Sequence, residues 1–408
     1  MSDPWHTASW FTSPWNHLPE VRSGYHFADQ VRIHDITLRD GEQQTGVALS
    51  ADEKVRIAEK LAEVGVHRIE AGMPIVSAAD RQAIERIVAA GFPCEIFAFS
   101  RCMVADVERA AECGVHGIVV EIPSSEHIIE HAYGWPLQKA VDLSIAATAR
   151  AKELGLYTVF FPIDASRADL GWFLDLISQV AAQGHMDALA CVDTFGGVNP
   201  SAIGNLVATC KRHLGKPIET HFHDDFGCGT ANTLLGLAAG AEVAHVTMCG
   251  VGERAGNAAL EQVVLALKTQ YGIDVGIDTT KLCELAALVQ ETFHHALPDN
   301  RSIVGKRLFQ VESGIVASWL KRCGDEHLLE LFPYRPELVG QEAPSVAMGK
   351  SSGADSVTAW LADLGLEPPT DDAEAMRILV AVKAASIEKH GTLTPDEFRR
   401  IVANERGA

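Results

Sequence analysis

The sequence predicts an α/β fold, a (β/α)₈ TIM barrel, followed by a C-terminal, mostly helical module. Three observations carry this expectation. Eight short β-type runs lie between residues 31 and 270, each followed by an amphipathic helical stretch. Glycine closes most of those stretches, as Gly65, Gly91, Gly114, Gly155, Gly184 and Gly240 do, which suits a left-handed helix end. The alternation then stops near residue 275. Eight equal units over this span match a barrel of about 250 residues. The rival, an open doubly wound sheet, would show a break that the pattern lacks.

The expected strands are Val31–Ile36, His67–Ala71, Glu95–Phe99, Gly117–Glu121, Tyr157–Phe161, Ala188–Val192, Ile218–His223 and Val243–Met248. Apolar and β-branched residues dominate them, as strands buried on both faces require. The helical stretches are 52–64, 79–90, 104–113, 139–154, 170–182, 201–213, 231–239 and 260–269. Ser50 with Glu53 three residues on announces the first as a capping box. Beyond the barrel, 281–297 reads as a helix, 300–318 as a polar, glycine-containing connection, and 354–364, 373–389 and 395–404 as further helices. The division expected is an N-terminal arm over 1–30, bearing Trp5, Trp10 and Trp15, a barrel over 31–275, and C-terminal subdomains over 276–408 acting in lid formation and dimerisation.

Composition limits the function. Lys and Arg number 34 against 54 Asp and Glu, a net charge of −20. Nucleic-acid binding needs a basic surface, so it is not expected. No run reaches the roughly 18 apolar residues of a membrane helix, and the N-terminus lacks the basic and apolar regions of a secretory signal. The nine cysteines are scattered and form no CxxC pair, which suits reduced thiols and a cytoplasmic location.

The active site of a barrel lies at the C-terminal strand ends, and charge gathers there. Residues 38–44 follow the first strand, Glu70 ends the second, and Ser100-Arg101 the third. Asp164, Ser166 and Arg167 follow the fifth, Asp193-Thr194 the sixth, His221–Asp225 the seventh and Gly250–Asn257 the eighth. On a strand, His221 and His223 point to one side. Strand eight alone separates strand seven from strand one, so Asp40 reaches the same point. Two imidazoles and a carboxylate suit Mg²⁺, Mn²⁺, Zn²⁺ or Co²⁺. Taken alone, an HxH pair equally suits hydrogen-bonded core histidines. Arg39 is a loop anchor or a donor to an oxygen gaining charge. His67, His116 and His245 are expected to be structural. The run 250–256 is a turn into a helix or an anion-binding loop.

The segment IHDITLRDGEQ (33–43), its continuation to Pro74, and the run from ETHFHDDFG (219–227) through GVGERAGNA (250–258) resemble the DRE-TIM metallolyase superfamily. DASRAD (164–169) and VDTFGGVNP (192–200) match smaller patches of that family. The run YRPELVGQEAPSVAMGKSSG (334–353) resembles the C-terminal subdomain of its condensing branch, the homocitrate, isopropylmalate and citramalate synthases. The resemblance implies that Asp40, His221 and His223 bind a divalent metal, with Asn257 on or beside it. It implies that Arg39 stabilises the charged oxygen, that Gln43 and Thr194 hold the carboxylate of a 2-oxo acid, and that Glu70, Ser166 and Arg167 line the pocket. Arg101 joins the substrate-binding residues. The implied reaction adds an acyl-CoA enolate to a 2-oxo acid in a homodimer.

Departures are informative. Val316 stands where these synthases carry a histidine that moves a proton, leaving Tyr334 as the expected partner. That change also motivates the alternative, metal-dependent C–C cleavage by a lyase or aldolase. Residues 97–101 lack the histidine that meets the distal carboxylate of 2-oxoglutarate in homocitrate synthases. A leucine-sensing regulatory domain is not expected, since the chain ends at Ala408.

Overall fold

The computed structural model describes residues 3–407. Eight strands close into a barrel in sequence order: β1 (Arg32–Asp35), β2 (Arg68–Glu70), β3 (Glu95–Arg101), β4 (Gly117–Pro123), β5 (Tyr157–Ile163), β6 (Ala188–Asp193), β7 (Ile218–Phe222) and β8 (Val243–Val246). Every pairing is parallel, and β1 closes the ring against β8 with His34 opposite His245. The expected barrel is therefore present, with strand limits shifted by at most two residues. β8 ends at Val246 rather than Met248, because Met248–Gly250 turns as a 3₁₀ segment with Cys249 at φ 64°.

The helices between strands follow from local chemistry. The first, Ala51–Val64, carries the expected capping box, with the Ser50 side chain accepting from Glu53 N and the Glu53 carboxylate accepting from Ser50 N. Its buried face is Ile57, Ala58, Leu61 and Val64, and Gly65 ends it at φ 95°. Gly184 departs from that pattern. Its φ is −101°, and a Cβ there would lie 2.4 Å from Thr148 Oγ1. Close packing, not left-handed geometry, accounts for this glycine. A short helix at Glu126–His131, between β4 and the helix Leu137–Glu153, was not expected.

The barrel interior divides in two. Phe97, Phe99, Val119, Val159, Phe161, Ala188, Ala190 and Val192 fill the side formed by β3–β6 with apolar packing. β7, β8, β1 and β2 instead turn Glu219, His245, His34 and Arg68 inward, all buried. Arg68 Nη1 donates to Glu219 Oε1 at 2.7 Å, and His245 Nε2 lies 2.7 Å from Glu219 Oε2. Buried charge is tolerable only when paired in this way.

The described residues form two compact units, and the boundaries differ from those expected. One unit is Ser13–Leu297. The other joins the segment ending at Thr12 to the chain from Pro298 onward. The N-terminal arm is thus shared. His26 N donates to Ala238 O within the barrel unit, whereas Phe11 N donates to Pro333 O within the other. The helix expected at 281–297 is Leu282–Thr292. It stops where His294 takes φ 49° and Gln290 Oε1 accepts from Leu297 N.

The second unit holds two apolar clusters. One gathers Phe309, Val311, Ala317, Leu328 and Phe332, with Val316 and Tyr334 against it. The other gathers Met348, Leu361, Ile378, Val382, Phe398 and neighbours from helices Ala354–Asp363, Asp372–Lys389 and Pro395–Arg406. The connection expected over 300–318 in fact opens a helix at Gly314, which runs to Cys323.

Candidate active site and metal centre

Alternation on β7 sends Glu219 and His221 inward, and His223 just beyond the strand follows them. His221 Nε2 lies 3.6 Å and His223 Nε2 3.9 Å from Asp40 Oδ2. The two imidazole nitrogens are 3.4 Å apart. All three ligand atoms lie within 4.8 Å of one another, and all three residues are buried. His223 is oriented by its Nδ1, 3.1 Å from the Gly256 carbonyl oxygen. Burial, then His223 and His245, hold the His221 imidazole well below its ordinary pKa, so it presents a lone pair. Burial pushes the Asp40 carboxyl up, but Arg39, His223 and the Asn257 amide together leave it below the usual range.

The set fits a divalent ion. Two imidazoles and an ionised carboxylate converge. Asn257 Nδ2 donates to Asp40 Oδ1 at 2.8 Å, while its Oδ1 is buried without a hydrogen-bond partner. A buried oxygen with nothing to accept from costs free energy, and an ion would satisfy it.

Arg39 is fixed on three sides. Its Nε donates to Glu70 Oε1, its Nη1 to Asp40 Oδ2 at 2.9 Å, and more weakly to Gln43 Oε1 at 3.3 Å. The guanidinium stacks 3.9 Å over the Phe99 ring. Its Nη2 is buried and has no partner. Asp40, His221, His223, Asn257, Arg39, Glu70 and Gln43 are therefore brought together.

The remaining expected site residues are engaged otherwise. Ser166 donates to Asp193 Oδ1 at 2.7 Å. Thr194 Oγ1 accepts from Asp164 N at 2.9 Å. Arg167 pairs with both Asp164 oxygens, and Arg101 pairs with Asp106 at 2.7 Å. Tyr334 lies in the second compact unit, bridged to Trp10 and 5.8 Å from the Phe309 ring. As expected, His67 and His116 are structural: their Nδ1 atoms accept from Ile33 N and Ile96 N. His245 Nε2 pairs with Glu219 Oε2 at 2.7 Å, while its Nδ1 is buried without a hydrogen-bond partner.

The loop after β8 explains its glycines. Gly252 has φ 148°, and a Cβ there would come 2.3 Å from Asn257 Nδ2 and 2.9 Å from Asp40 Oδ1. At Gly256 a Cβ would lie 1.8 Å from the Gly250 carbonyl oxygen. No side chain fits at either position, so the backbone can approach the centre closely.

Three functional features escaped the sequence reading. Glu219 and His34 form, with His245, a second group of ligand-type atoms within 4.8 Å. Arg68 occupies one Glu219 oxygen and His245 sits at hydrogen-bond distance from the other, while both His34 nitrogens are buried without a hydrogen-bond partner. Glu219 was findable, since it lies two residues before His221 on the same face. The third is Glu121, inward on β4 above Val119 and paired in register with Arg101 and Phe161. Burial raises its carboxyl to about 7, against the pull of Arg39 and Arg101.

Comparison with known proteins gives a consistent picture. A family model described as HMGL-like matches residues 30–289. The chain is 35% identical over 398 residues to homocitrate synthase AksA of Methanothermobacter thermautotrophicus, covering 98% of each. It is 39% identical over 324 residues to 2-isopropylmalate synthase 2 of Caldanaerobacter subterraneus, covering 79% of this chain and 83% of the relative. Among solved structures, hydroxymethylglutaryl-CoA lyase of Pseudomonas aeruginosa superposes with a TM-score of 0.60 at 21% identity, over 69% of this chain and 98% of the other. That last likeness concerns the fold.

Proposed function

The chain belongs to the HMGL-like family, in the synthase branch of the DRE-TIM metallolyases, and on that premise we propose that it condenses an acyl-CoA, acetyl-CoA foremost, with a 2-oxo acid. The product is a 2-hydroxy dicarboxylic acid, and the enzyme is a 2-alkylmalate-synthase-like acyltransferase. The observation that carries this reading is the convergence of Asp40, His221 and His223 beside a buried guanidinium whose Nη2 is unpaired.

Asp40, His221 and His223 would hold a divalent ion (Mg²⁺, Mn²⁺, Zn²⁺ or Co²⁺), with the Asn257 carbonyl oxygen on or beside it. Such an ion supplies Lewis acidity to a keto oxygen. Glu70 fixes Arg39, whose Nη2 is the donor available to an oxygen that gains charge. Gln43 and Thr194 would hold the carboxylate of the oxo acid, with Ser166, Arg167 and Arg101, each kept in place by its acidic partner, lining the pocket. Val316 cannot move a proton, and it packs against an apolar cluster. Tyr334 is our candidate for that transfer. Val316 also favours the second reading, C–C cleavage of a 3-hydroxy acid or its CoA thioester by the same centre. The homodimer and the cytoplasmic location belong to this proposal, the latter supported by nine free cysteines.

The test is release of free CoA from acetyl-CoA across a panel of 2-oxo acids, with and without a chelator. Metal-dependent release with at least one acid is expected, and none with any acid would leave cleavage to be assayed instead. Tyr334→Phe should lower turnover by about 10²-fold or more if it moves the proton; an unchanged rate removes it.

A further inference from the structure

The arginines around the barrel mouth are already neutralised. Arg39 is held by Glu70 and Asp40, Arg101 by Asp106, Arg167 by Asp164 and Arg254 by Asp225. None offers a free cation to a second carboxylate on a substrate. Glu121 is the reverse case. Its carboxyl makes no hydrogen bond or ion pair among the described residues, yet it is half-buried and lies on the apolar side of the interior. Its position faces the centre. Phe161, its register partner on β5, packs edge-on against the His221 ring at 4.7 Å. Arg101, its partner on β3, follows Phe99 two residues on, and Phe99 carries the Arg39 guanidinium. A 2-oxo acid anchored at Asp40, His221 and His223 would extend its side chain across the mouth toward β3–β5, where Phe99, Phe161 and Glu121 stand.

We propose that Glu121 reads the side chain of the 2-oxo acid: its carboxylate accepts a hydrogen bond from a hydroxyl there and rejects a second carboxylate. The substrate class is then a hydroxylated, monocarboxylic 2-oxo acid. This rests on the condensation reading for the site and adds the identity of its acceptor. A half-buried acceptor without a partner discriminates, because a substrate without a donor leaves it unpaired and one with a like charge repels it.

The experiment uses the full chain loaded with Mn²⁺ at about pH 8, where Glu121 is ionised. Three acids are compared, 2-oxobutanoate, 4-hydroxy-2-oxobutanoate and 2-oxoglutarate, by calorimetric binding and by CoA release, in wild type, Glu121→Gln and Glu121→Leu. Circular dichroism checks that each variant is folded. Wild type should favour the hydroxylated acid over 2-oxobutanoate by about tenfold, and over 2-oxoglutarate by more. Glu121→Leu should reverse the first preference, and Glu121→Gln should raise 2-oxoglutarate about tenfold relative to 2-oxobutanoate. Tightest binding of 2-oxoglutarate by wild type, one ranking in all three proteins, or no binding of any acid overturns the proposal. Binding in the expected order without CoA release removes the condensation reading and leaves the role of Glu121 standing.

Discussion

His223 shows how much one side chain can decide. Its Nε2 faces Asp40 and its Nδ1 meets the Gly256 carbonyl, so it is both a ligand candidate and a tether for the β8 loop. His223→Ala should lower metal content, measured by elemental analysis, at least about tenfold with the far-ultraviolet circular dichroism unchanged; full metal content would remove it from the centre. Glu121 yields a pH prediction. Its raised folded pKa, about 7 against an ordinary 4.5, means that the native state favours the protonated form. That favourable contribution is complete below the ordinary value and is lost as pH rises through about 7. Glu121→Gln should therefore raise the unfolding free energy at pH 8 by about 1 kcal/mol or more, and change it little at pH 4. Equal shifts at both values would contradict this. The HxH pair was legible because period-two alternation is strict on a strand. Glu121 was not, since a carboxylate ending an apolar run looks like any strand terminus.

At the scale of elements, the loop 250–257 makes the sharpest demand. Gly252→Ala would press a methyl group between Asn257 and Asp40. It should weaken metal binding about tenfold or more in titration calorimetry, with a smaller effect on melting. A wild-type affinity would show that the loop can yield. The sequence reading weighed this run as turn or anion site, because glycines signal close approach without naming what is approached. Helix Gly314–Cys323 was hidden for another reason. Ala317 and Leu320 pack inward while Ile315 and Trp319 are exposed, so the apolar arc is wider than the face it buries, and the helix begins inside a stretch that reads as a polar connection.

On the scale of the whole molecule, the barrel was legible because eight βα units repeat one physical pattern. The unit boundaries were not. Whether residues near Thr12 or Leu297 join one core or the other is decided by long-range backbone pairing, such as Phe11 with Pro333, which leaves no local mark. The proposed dimer predicts a light-scattering mass twice the 43.9 kDa of the chain; a value near one chain mass would contradict it. The unequal halves of the barrel interior carry a further consequence. Arg68, Glu219 and His245, from β2, β7 and β8, are locked to one another, and altering any of them unbalances the rest. The oily wall of β3–β6 has no such bonds to break. Natural or laboratory variation in that wall can therefore spare the charged half opposite, so long as Phe99 and Phe161, which carry the Arg39 guanidinium and the His221 ring, are kept.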